Sequence, residues 1–132
     1  MMPDRVSILT VSSFDEDHRA TEAILRRSKW DHHTARTIAE ALRLMRSADV
    51  SVILCERDLP DGSWKDLLTA VADPELAPRL ILISALADEC LWAEALNLGA
   101  YDLLAQPFYE PEVRRILFNV CTRDQMKTMA AV

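Results

Sequence analysis

The chain has 132 residues, half of them apolar and 27% charged, the size and balance of one globular domain with a real core. Its 15 basic and 21 acidic residues give a formal charge of −6, and no block of Lys or Arg stands out, which argues against a nucleic-acid or anionic-membrane surface. No apolar run approaches the ~20 residues that span a bilayer, and the amino terminus is too quickly interrupted for a signal peptide, so a soluble, cytoplasmic protein is expected.

The first strand is expected over Val6 to Ser12, followed by a helix over Asp15 to Ser28 that opens on Asp15, Glu16 and Asp17, acids suited to the positive end of a helix dipole. A weak strand, His32 to Ala35, leads to a helix over Ile38 to Ser47 with Thr37 as N-cap, Glu40 as capping-box partner and Ala41, Leu42 and Met45 inward. The third strand is Val50 to Cys55. A third helix begins after Gly62, with Ser63 as N-cap and Asp66 at its third position, and ends before Pro74. The fourth strand, Arg79 to Ser84, precedes a helix over Asp88 to Leu98 that stops at Gly99. The last strand, Asp102 to Ala105, precedes a helix from about Pro111 whose stripe is Val113, Ile116, Leu117, Val120 and Cys121. Alternating strands and helices predict a parallel sheet covered on both faces, with the continuously apolar third and fourth strands central. The domain is expected over residues 1–122, and residues 123–132 read as a tail or the start of a linker.

Cys55, Cys90 and Cys121 are odd in number and widely spaced, so they read as reduced, buried thiols and not as a zinc or disulfide site. His32 and His33 alternate across a strand and cannot pair on one metal, and His18 reads as a surface residue. No nucleophile elbow, P-loop or dinucleotide glycine motif is present.

In an open parallel α/β sheet, ligands bind beyond the carboxyl ends of the strands. That places Ser12 and Ser13, Glu56 and Arg57, Ser84 and Ala85, and Gln106 at the candidate site. Pro107 restricts Gln106 to an extended conformation and suits a cis peptide bond. Asp15 and Asp17 read as capping acids, with metal ligation the lesser alternative, and Asp58 and Asp61 as loop formers.

Leu59-Pro60-Asp61-Gly62, Leu98-Gly99-Ala100 with Asp102, and Pro107-Phe108 with Glu112 occur in one order and spacing. Together they resemble the receiver domains of two-component response regulators, from Val6 to about Asn119. The resemblance implies a single doubly wound (βα)5 flavodoxin-like domain with a five-stranded parallel sheet of order 2-1-3-4-5. It puts Glu56 at the phosphoacceptor position, four residues before Pro60. Ser12 and Ser13 stand where the family has acids that hold Mg²⁺, Gln106 where it has a lysine, Ser84 at its hydroxyl position and Leu103 at its aromatic switch position. The Mg²⁺ site is therefore expected to be lost, leaving no metal and no cofactor.

Phosphoryl transfer depends on positioning and on charge neutralisation by metal and cation. With both altered, the expectation is a degenerate receiver without catalytic turnover, acting in two-component or phosphorelay signalling by phosphorylation-independent protein contacts. Glu56 would then be a fixed, acceptor-like acid bonded to Ser84, Gln106 and backbone N–H groups, its pKa raised by seclusion. The alternatives are a working phosphoacceptor modified by a histidine kinase and a small-ligand module reusing the pocket. The resemblance implies a protein partner, such as a histidine kinase or another receiver or output domain. It also implies self-association through the fourth helix, fifth strand and fifth helix, the face assigned Ala93, Asn97, Asp102, Arg114 and Arg115.

Overall fold

The computed structural model describes residues 6–26, 28, 30–71 and 78–130, with side chains up to residue 120. Five parallel strands, β1 (Ser7–Val11), β2 (Asp31–Ala35), β3 (Val52–Glu56), β6 (Arg79–Ser84) and β7 (Asp102–Ala105), form one sheet in the order β2-β1-β3-β6-β7. This is the expected 2-1-3-4-5 arrangement, with the two most apolar strands, β3 and β6, paired near its middle. A two-residue antiparallel ladder that the sequence did not announce, β4 (Asp58–Leu59) with β5 (Gly62–Ser63), folds the loop after β3 back on itself.

The helices are α1 (Asp15–Leu25), α2 (Ile38–Ser47), α3 (Trp64–Ala70), α4 (Glu89–Leu98) and α5 (Glu110–Ala130). α1 is shorter than expected, whereas α5 continues past residue 122. Local chemistry sets several ends. Thr37 accepts from the Glu40 N–H at 3.1 Å, and Asp88 accepts from the Leu91 N–H at 2.8 Å. Ser63 and Asp66 complete a capping box on α3. Gly99, at φ 108°, ends α4 in the left-handed region that a side chain would strain. Residues 72–77, and with them Pro74, lie outside the described residues, as does the Cys121 side chain.

Side chains alternate across the sheet and build two cores. Leu9, Ile53, Leu80, Leu82 and Leu103 pack with Ile38, Ala41, Trp64, Leu67 and Ala95 of α2, α3 and α4. Ile8, Leu54, Ile81, Ile83 and Leu104 pack with Ile24 and Leu25 of α1 and Val113, Ile116, Leu117 and Val120 of α5. Each fully buried Leu or Ile contributes about 1.5–3 kcal/mol, so the register of the strands is set by cores on both faces. Val11 faces Cys55, Glu56 faces Ile83, and Ser84 faces Ala105. Ser12, Glu56, Ser84 and Gln106 are thereby gathered at one edge of the sheet.

Candidate functional site: an acidic pocket at the carboxyl edge of the sheet

Two backbone turns shape this edge. The Ser12 hydroxyl accepts from the Phe14 N–H at 3.0 Å, and the Ser84 hydroxyl accepts from the Leu86 N–H at 3.0 Å. The Gln106 N–H donates to the Ser84 carbonyl at 3.0 Å, holding the loops after β6 and β7 together. The Gln106–Pro107 peptide bond is cis.

The central finding concerns Asp17, which is not a helix cap. Phe14 at the N-cap of α1 offers no side-chain cap, Asp15 pairs with Arg36, and Asp17 turns inward, only 7% exposed. The Ser12 hydroxyl donates to its Oδ2 at 2.5 Å, and the Gln106 amide donates to its Oδ1. Asp17 also bears on Glu56, raising its pKa. The pocket therefore holds two acids and not one. Its hydrogen bonds also differ from the expected set, because Gln106 serves Asp17 rather than Glu56, and the Ser84 hydroxyl serves its own turn.

Half-buried Glu56 has its pKa pushed up to about 7, chiefly by burial, then by the neighbouring Asp17, against a lowering backbone N–H of Arg57. A neighbouring like charge disfavours ionisation of a carboxyl. Ser12 and Gln106 both donate to Asp17, and Glu56 is the acid whose pKa is raised. A sequence signal for Asp17 did exist: it shares the buried stripe of α1 with Thr21 and Ile24, at helical spacing.

Other expected residues fall elsewhere. Ser13 enters through its carbonyl, which accepts from Arg36 at 3.2 Å. Leu103 is buried among Leu82, Ala95 and Ala100. Asp61 is more than a loop former, since its carboxylate accepts from the Ile38 and Ala39 N–H groups at 2.8 and 3.0 Å and caps α2. His18 is half-buried and not fully on the surface: its Nε2 meets the Ser12 carbonyl at 2.8 Å while its buried Nδ1 lacks a hydrogen-bond partner. His32 lies 2.9 Å from Thr10 Oγ1, between the sheet and α1. Cys55 is buried, as expected, but Cys90 is exposed on the first turn of α4.

Of the residues assigned to an interaction face, Ala93 and Asn97 are exposed on α4. Asp102 and Arg115 line one shallow groove with Trp92 and Leu103. Arg114 does not join them. Its guanidinium donates to the Ile24 carbonyl at 2.9 Å and pairs with Glu110, which places it against α1.

The model of the response regulator receiver domain matches residues 8–118. The chain is 29% identical over 103 residues to the response regulator protein PilR of Pseudomonas aeruginosa, covering 78% of this chain but only 23% of PilR. Among solved structures, it is similar to the signal receiver domain of an HD domain-containing protein from Pseudomonas fluorescens Pf-5, with a TM-score of 0.87, 24% identity and coverage of 98% and 96% of the two chains. It is similar too to the receiver domain of a putative Luxo repressor protein from Vibrio parahaemolyticus, with a TM-score of 0.87, 17% identity and coverage of 96% and 97%. With the parallel sheet, its strand order and the pocket at its carboxyl edge, the match over residues 8–118 establishes that this chain belongs to the response regulator receiver domain family of two-component signalling.

Proposed function

We propose that this receiver domain signals through protein contacts without phosphorylation, with Glu56 standing in the phosphoacceptor position. The observation that carries this reading is the closed hydrogen-bond set around Asp17. Its two oxygens accept from Ser12 and Gln106, so the centre of the pocket is already filled by a carboxyl group of the chain itself. An incoming phosphoryl group would meet that carboxylate and an amide in place of a cation. Loss of one oriented stabilising group typically costs roughly 10² to 10³ in rate, and several are altered together here.

Magnesium, which the family resemblance implies, does not fit these residues. Mg²⁺ prefers near-octahedral oxygen ligands with carboxylates among them, whereas the end of β1 offers the hydroxyls Ser12 and Ser13, and Asp17 is engaged by two donors. Among the described residues, no group of three or more His, Cys, Asp or Glu is placed to hold a metal. On this reading the module needs no cofactor and performs no catalytic turnover. It works in the cytoplasm, where a histidine kinase or another receiver or output domain is its partner. Partner docking and homodimerisation are assigned to α4, β7 and α5, with Ala93, Asn97, Asp102 and Arg115 on the contact face. The exposed Trp92 beside that groove supplies apolar area.

Titration with Mg²⁺ and beryllofluoride, followed by amide NMR, tests the reading. The resonances of Ser12, Glu56 and Ser84 are expected to stay in place, and incubation with acetyl phosphate to leave the intact mass unchanged. A phosphoryl adduct that disappears in Glu56→Ala would establish the working phosphoacceptor instead.

A further inference from the structure

Basic residues that form no long block in the sequence meet in the fold between the end of α1 and α5. Ser28 and Trp30, from the connection into β2, and Pro111, Arg114, Arg115 and Phe118 of α5 line one open, mostly apolar groove of about 610 Å³. Its walls are held in place. The Ser28 hydroxyl donates to the Leu25 carbonyl at 2.6 Å and accepts from the Trp30 N–H at 3.3 Å, and the partly buried Trp30 packs against the core under α1 and α5. Arg114 ties the two helices together, donating to the Ile24 carbonyl and pairing with Glu110. Phe118, by contrast, is 63% exposed, a large apolar side chain that the monomer leaves in water.

The charge around this groove runs against that of the whole chain. Five of the 15 basic residues belong to its two segments, Arg26, Arg27 and Lys29 in the connection and Arg114 and Arg115 on α5, against the acids Asp31 and Glu110. Glu110 is already taken by Arg114. Arg26 and Arg115 make no hydrogen bond or ion pair among the described residues. Arg115 also lines the Trp92 groove, whose acids leave it unpaired, so its guanidinium is available to either side of α5.

We propose that this groove is a second docking surface, and that its occupant is an acidic helical segment of a partner protein. An apolar side chain of that helix seats against Trp30 and Phe118, and Asp or Glu residues one turn to either side meet Arg115 and Arg26. Helices dock in grooves through anchors at i, i+3 and i+4, and Trp and Arg are the residues on which interface energy concentrates. Charge complementarity selects the partner. A second copy, a nucleic acid or an anionic membrane would each face a chain of net charge −6 and be repelled at long range, whereas an acidic helix that presents its own apolar anchor gains from the local cations at short range.

The test uses the full chain and a synthetic Ala-rich helical peptide with two Leu one turn apart and Glu flanking them, beside a twin with Gln in place of Glu. By NMR the acidic peptide is expected to shift the Trp30 indole N–H and the Phe118 ring, and to bind more weakly as salt rises. Phe118→Ser and Arg115→Glu, both exposed positions whose variants should keep dispersed amide spectra, are each expected to weaken binding by about tenfold. The proposal is overturned if the acidic peptide leaves these signals in place, or if the Gln twin moves them equally. It is overturned too if they follow protein concentration, which would make a second copy the occupant, or if anionic vesicles or duplex DNA move them and the peptide does not. The outcome is independent of the phosphorylation reading, which beryllofluoride and acetyl phosphate decide at the opposite, pocket-forming site.

Discussion

The side-chain amide of Gln106 donates to the carboxylate of Asp17 across 89 residues of chain, joining the loop after β7 to the first turn of α1. An amide supplies a donor but no charge, so Asp17 is hydrogen-bonded yet still repels Glu56. Gln106→Lys should change that balance. An ammonium beside Asp17 is expected to lower the Glu56 midpoint by about one pH unit, because an opposite charge within a few ångströms favours the ionised form. No phosphoryl adduct should appear with acetyl phosphate, since Ser12, Ser13 and Glu56 are unchanged. Carboxyl NMR and intact mass check the two halves, and an unmoved midpoint would show that Gln106 and Asp17 are not coupled to Glu56.

Stability should carry the same signature. The folded pKa of Glu56 is raised from 4.5 to about 7, so between those values the folded protein binds a proton that the unfolded chain does not, and stability falls as pH rises. The contribution is fully present below 4.5 and lost as pH passes about 7, with a size reduced by the solvent that reaches this half-buried group. His32 acts oppositely: burial lowers its pKa from 6.5, so its neutral form adds stability above 6.5 that is lost as pH falls through the folded value. Asp15 and Asp61, lowered from 3.8 by Arg36 and by the N–H groups of Ile38 and Ala39, lose their contribution only at more acid pH. Comparing wild type with Glu56→Gln isolates the first effect. Urea midpoints should fall from about pH 5 to about pH 8 by more in wild type than in the variant. Equal changes would count against a raised Glu56.

The fold was legible because its signals are local and repeated. Apolar runs such as Leu80-Ile81-Leu82-Ile83 mark strands buried on both faces, and Ser63 with Asp66 marks a helix start. Glu56, Ser84 and Gln106 were placed by the ends of their strands. Asp17 was missed because acids in a first turn ordinarily serve the helix dipole. What distinguishes Asp17 from Asp15 and Glu16 is its direction: it alone of the three shares the stripe that Thr21 and Ile24 bury against the sheet. Asp61 was missed for a related reason, since its role as a cap lies on a helix 22 to 23 residues earlier in the chain. Arg114, assigned to the same face as Arg115 by resemblance, turns instead toward the Ile24 carbonyl of α1, because successive helical residues point about 100° apart. In each case a polar side chain has its partner far away in the sequence.

Gly62 makes a sharper stereochemical demand. Its φ is +154°, and a Cβ there would lie 2.6 Å from Asp66 Oδ2 and 2.7 Å from Ile38 Cδ1. Asp66 cannot simply withdraw, because the same oxygen accepts the Ser63 N–H at 2.9 Å in the capping box of α3. Gly62→Ala is therefore expected to destabilise by about 1–3 kcal/mol through strain and a disturbed cap. Chemical denaturation measures the loss, and faster amide exchange at Ser63 would locate it. Stability equal to wild type would mean that the β4–β5 turn relaxes without cost.

Leu103 separates packing from the chemistry of the pocket. It occupies the family's aromatic switch position by resemblance, yet it is only 7% exposed and packed in the core beneath α4. Leu103→Ala should cost about 2–5 kcal/mol, the range for a buried Leu that leaves a cavity. The pocket should be spared, because Gln106 is held by its N–H to the Ser84 carbonyl at 3.0 Å and by its side chain to Asp17, contacts that Leu103 does not make. Denaturation is thus expected to register a large loss while the Glu56 midpoint stays near its wild-type value. A midpoint that moved would instead reveal that the α4 core and the acid pair form one coupled unit, with Leu103 as the mechanical link.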